Sequence, residues 1–179
     1  MNSALKKISF VVCGFIFSTG LIAPAALPPQ HLQKVYTDDK LLKNYGVARG
    51  GAAGKGFSVL AMRASNTKDK KLERLVLDIG NSSMLKNTGK VGYYNIELKQ
   101  NPNRLIIDLA QTLNAKLNQR DINAIVAKSE FFKKGQLLFD SQSRSLSLVF
   151  DLKQKAEIKV QDVEGTKETS KLVIDFKKI

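Results

Sequence analysis

From residue 57 to residue 178 the chain sorts its apolar and polar side chains with a period of two, the spacing of a β-strand with one face in a core. In "RLVLDI" (74–79) Leu75, Leu77 and Ile79 point one way, and Arg74, Val76 and Asp78 the other. The phrase returns as "RLIIDL" (104–109), "LVFDL" (148–152) and "KLVIDF" (171–176). Each copy keeps Leu, Ile or Phe on one face. Basic or polar, β-branched and Asp residues occupy the other, which predicts strands buried on one side and partly wet on the other.

The copies bring neighbours with them. "FSVLAMRAS" (57–65) precedes the first phrase and "INAIVAKSE" (122–130) takes the corresponding place in the second half. "YYNIELKQ" (93–100) separates the first two phrases, and "AEIKVQD" (156–162) the last two. Turn residues "NPNR" (101–104) and "EGTKETSK" (164–171) close hairpins. This reads as a four-stranded unit used twice, with halves at about 57–110 and 122–178. A sheet with one apolar face needs a second to cover it, so the expected fold is all-β: a sandwich of two roughly four-stranded sheets. The connection 110–121 or the N-terminal flank is the expected place for a short helix. Within one strand Arg104 and Asp108 lie about 13 Å apart and cannot pair. Between antiparallel phrases, Arg74, Arg104 and Lys171 would meet Asp78, Asp108 or Asp175 and fix register.

The first residues change the picture of where the protein works. Lys6 and Lys7 precede the apolar run "ISFVVCGFIFSTGLI" (8–22), and "APAA" (23–26) offers a cleavage site after Ala25. This is the pattern of an export signal, and the run is short for a membrane span of about 20 residues. Residues 1–25 are therefore expected to be a signal peptide and the protein periplasmic, with no stable membrane insertion after cleavage. Cys13, the one cysteine, would leave with the signal. Residues 26–56, with "ALPPQ" and "ARGGAAGKG", read as a flexible flank and linker, with a short amphipathic helix expected in "QKVYTDDKLLKNYG" (33–46), and the domain as 57–179.

A formal charge of +13 favours polyanionic partners. Aromatic residues are not interleaved with the basic ones as stacking platforms would be, which argues against nucleic acid. Catalysis finds little support. His31 is the single histidine and lies in the flank, which leaves neither a zinc ligand set nor a Ser/His/Asp arrangement. No enzymatic activity, cofactor or metal is expected. Candidate binding residues are Arg63, Arg74, Arg104 and Lys128 for anionic groups, and Tyr93 and Tyr94 for sugar rings, although alternation requires one of the two tyrosines to be buried. Lys99, Lys153, Lys155 and Lys159 also lie on or beside expected strands.

"LERLVLDIGN", "LKQNPNRLIIDLAQ", "INAIVAKSE", "SLSLVFDLKQ" and "TSKLVIDF" together resemble the AMIN domain, found at the N-terminus of periplasmic N-acetylmuramoyl-L-alanine amidases and type IV pilus secretins. The resemblance covers about 57–178 and is most specific at "NPNRLIIDL", with Pro102, Arg104 and Asp108 in the family's places. Val126 and the opening of the third phrase depart from it by lacking basic residues. The resemblance implies two symmetric β-sheets that bind peptidoglycan and direct their owner to sites of wall synthesis or division. With no amidase or secretin domain before residue 179, the expectation is a non-catalytic targeting module that recruits or regulates a wall hydrolase or envelope complex. The alternative is a structural adaptor that pairs with a secretin or pilus component through exposed strand edges.

Overall fold

The four repeated phrases form the middle of two facing sheets. A computed structural model describes residues 40–52, 56–66, 71–80, 91–165 and 169–179. The expected signal peptide (1–25), the first part of the flank (26–39) and His31 lie outside the described residues. In chain order the elements are β1 (Lys40–Lys43), β2 (Gly46–Gly50), β3 (Phe57–Asn66), β4 (Leu72–Gly80), β5 (Tyr94–Lys99), β6 (Arg104–Leu109), β7 (Thr112–Ala115), α1 (Gln119–Lys128), β8 (Phe132–Asp140), β9 (Ser145–Leu152), β10 (Ala156–Glu164) and β11 (Thr169–Lys178).

The protein is an all-β sandwich. One sheet has the order β1-β10-β11-β4-β3-β7 and the other β2-β5-β6-β9-β8. Each half of the duplicated sequence gives one hairpin to each sheet. The hairpin β3-β4 from the first half joins β10-β11 from the second, and β5-β6 joins β8-β9. The phrases therefore meet in antiparallel pairs, β4 with β11 and β6 with β9. This register sets Leu75 opposite Ile174, Leu77 opposite Leu172, Leu105 opposite Phe150 and Ile107 opposite Leu148. All eight are buried without measurable exposure. Removing a Leu, Ile or Phe side chain from water contributes about 1.5–3 kcal/mol, so these central pairs carry much of the fold's stability. An aromatic joint ties the sheets near α1: the Phe132 ring stacks on Phe150 at 4.6 Å and meets the Phe176 edge at 5.0 Å.

Two expectations are corrected. The folded unit begins before Phe57, because β1 pairs with β10 and β2 with β5. The segment read as helix-forming flank and flexible linker thus supplies an edge strand to each sheet and crosses between them at Asn44 and Tyr45. Its turn residues suit that crossing, with Asn44 at φ 63° and Gly46 at φ 144°. Further along, "INAIVAKSE" is a helix for most of its length rather than a strand. Asn118 caps α1 by accepting from the Arg120 and Asp121 N–H groups, and Asp121 returns a bond to the Asn118 N–H. This capping box starts the helix. Ile122 and Ile125, three residues apart, then share its buried face.

Candidate functional site

The site grows from an interruption in the first sheet. β7 runs parallel to β3 but pairs only with Phe57, Ser58 and Val59. The chain then leaves the sheet, the Lys116 N–H donating to the Val59 carbonyl at 2.8 Å, and turns into α1. From Ala61 to Asn66, β3 keeps β4 on one side and, among the described residues, has no strand on the other. Alternate N–H and C=O groups of such an edge are open to a partner. Across from this edge lies α1, held against β8 by close packing on Gly135. A Cβ there would fall 2.5 Å from the Ile122 Cγ2 atom, so only glycine admits the helix at this depth.

Between β3 and α1 runs a groove of about 370 Å³, lined by Ala64, Asn66, Glu73, Ala124, Ile125 and Lys128, with Arg63 at its rim. Its chemistry is set by Glu73, which sequence reasoning did not single out. Glu73 stands in phase with Leu75, Leu77 and Ile79, on the apolar face of β4 and opposite Phe176. It is 1% exposed. The Oε2 atom accepts the Glu130 N–H at 3.0 Å, whereas Oε1 is buried and accepts no hydrogen bond from the described residues. A buried polar atom without a partner costs about 1–3 kcal/mol, more when charged. The legible signal was the charge itself, a carboxylate breaking an otherwise apolar face.

Lys128 occupies the last turn of α1, where the helix dipole favours a cation. It is exposed and makes no ion pair with the described residues. It sits on a helix, not beside a strand as expected. Arg63 presents its guanidinium to Asp78, with Nε and Nη2 each 2.9 Å from a carboxylate oxygen.

The remaining candidates lie elsewhere. Arg74 grips Asp175 through two bonds of 2.6 and 2.9 Å, on the outer face of the six-stranded sheet. That bond and the carboxylate charge hold the guanidinium pKa above its ordinary value. Arg104 donates to Asp151 at 2.7 Å on the outer face of the five-stranded sheet. Tyr93 is exposed, but Tyr94 is buried and donates its hydroxyl to Asp162 across the sandwich, so its ring is not available to stack on a sugar. Burial first, then the bond to Asp162, pushes the Tyr94 hydroxyl pKa up. The six candidates thus do not form one surface; the structure brings Arg63 and Lys128 to one groove and disperses the rest. Among the described residues, no group of three or more His, Cys, Asp or Glu side chains converges as a metal site would. No protein-family model matches the chain, and no curated protein matches it significantly.

Proposed function

We propose that the protein is a non-catalytic module that binds peptidoglycan in the periplasm and recruits or regulates a wall hydrolase or envelope complex. The observation that carries this reading is the groove between β3 and α1, where Arg63 and Lys128 meet beside an open strand edge. Such an edge recognises extended peptide, and a rigid sandwich presents it without paying to order a loop. The overall charge of +13, reduced to +11 when Lys6 and Lys7 leave with the signal, adds attraction to the carboxylates of wall peptides, screened over about 8 Å at physiological ionic strength. The likeness of the repeated phrases to AMIN domains supports the same assignment.

Co-sedimentation with purified sacculi tests it. The protein should pellet at physiological salt, and Lys128→Glu should reduce the bound fraction while leaving the fold intact. Protein that stays in the supernatant at low and at physiological salt would overturn the reading. A second reading, an adaptor for a secretin or pilus component, draws on the outer end of edge strand β8, where Leu138 and Phe139 are 58% and 40% exposed. Capture of such a partner through β8, insensitive to added salt, would favour it.

A further inference from the structure

The groove holds two charges of opposite sign that do not satisfy one another. Glu73 keeps a buried oxygen with no donor, and Lys128 keeps an ammonium with no ion-paired partner among the described residues. Arg63 turns its Nε and Nη2 to Asp78 and donates no hydrogen bond to the Glu73 Oε1 atom. The rest of the lining is apolar apart from Asn66, with Ala64 on the strand and Ala124 and Ile125 on the helix. A simple anion would be repelled by Glu73, and a simple cation by Lys128. The complementary ligand is itself dipolar.

We infer that the groove is a socket for an amino-acid head, an ammonium beside a carboxylate, carried on an aliphatic stem. Glu73 receives the ammonium and Lys128 the carboxylate. Ala64, Ala124 and Ile125 cover the methylenes, and the peptide that bears the stem lies along the open edge of β3. Oε1 is shielded from solvent, so the groove lining must yield for the ammonium to reach it. The inference rests on the wall-binding reading for its source of ligand: this head is the free end of a diamino acid in an uncross-linked stem peptide. Cross-linking converts that ammonium to an amide, so the socket distinguishes unlinked from linked wall.

Calorimetric titration of the full chain with three probes tests it: a stem tetrapeptide containing diaminopimelate, the same peptide acetylated on its distal amine, and the lysine analogue, which has the amine without the second carboxylate. Acetylation should weaken binding at least about tenfold, the worth of one hydrogen bond to a charged group. Lys128→Gln should erase the preference for diaminopimelate over lysine, and Glu73→Gln the preference for the free amine. Glutamine retains an acceptor for the Glu130 N–H, and the three peptides on the unaltered protein decide the matter even if that variant does not fold. Equal affinity for free and acetylated peptides, or no heat with any of them, overturns the socket. Sacculus pelleting is read separately. Pelleting combined with indifferent peptides removes the socket and keeps the wall reading. Amine-dependent peptide binding without pelleting keeps the socket and removes the wall.

Discussion

The Tyr94 hydroxyl spans the sandwich from β5 to Asp162 on β10, with Lys40 from β1 placed 5.7 Å from its ring centroid. A folded-state pKa above the usual value of about 10 means that the native protein retains a proton that the unfolded chain releases. The stability from this group is complete below about pH 10 and is lost as pH rises through that value towards the folded pKa. Urea unfolding from pH 7 to 11 should show that alkaline decline, and Tyr94→Phe should flatten it while costing about 1 kcal/mol at neutral pH. Arg74 and Asp175 make a weaker case because the arginine is half exposed. A double-mutant cycle with alanine at both positions should give a coupling of less than about 1 kcal/mol. The Arg74 pair is one the repeated phrase predicts, since a basic start and an acidic end meet when two copies run antiparallel; by the same geometry Arg104 meets Asp151, a partner the expectation did not name, and Asp78 is taken by Arg63. Glu73 was equally visible as an exception to the period, but its lack of a donor depends on what α1 and Glu130 bring to it from elsewhere in the chain.

At the scale of elements, the strands of the repeated phrases and their neighbours were legible, whereas β1, β2, β7, β8 and the helix were not: 122–130 was assigned the place that β8 takes at 132–140. Every phrase sends three alternate Leu, Ile or Phe residues to the buried face, as a period of two requires when one face meets a core. In "INAIVAKSE" the isoleucines at 122 and 125 fit a helix, but a short apolar run satisfies either periodicity. The deciding signal was "NQRD", in which Asn118 and Asp121 form reciprocal caps. Asn118→Ala should lower stability by about 1 kcal/mol in thermal unfolding. Gly135→Ala should cost about 1–3 kcal/mol by forcing Ile122 away from β8, and should widen the groove as α1 shifts. Gln119 adds a second tie, its side-chain amide bonding the Gly135 carbonyl and the Leu137 N–H along the free edge of β8. In Gln119→Ala the Leu137 amide should exchange with solvent faster, measured by hydrogen exchange.

For the whole molecule, the segment at 40–50 matters most. Its first residues fall in the expected helix 33–46 and its last in the glycine-rich stretch 48–56 read as linker, yet Ala48 and Gly50 are buried, and the Gly50 backbone lies against the Tyr94 ring where any side chain would clash. Small residues were selected by close approach, a reason that composition cannot express. A chain that begins at residue 52 should melt at a distinctly lower temperature than the full chain, because β5 and β10 would lose their outer partners and uncover core side chains.

The sequence by itself determined that strands are paired face to face, which side chains are inside them, and that two copies of one unit build the sandwich. Alternation and repetition are local properties, and burial enforces them at each position. Tertiary structure alone decided that β7 stops after Val59, that α1 stands opposite the edge left open, and that a buried carboxylate and a free ammonium line the space between them. Those outcomes depend on contacts between residues far apart in the chain, where no periodicity records which surfaces will meet.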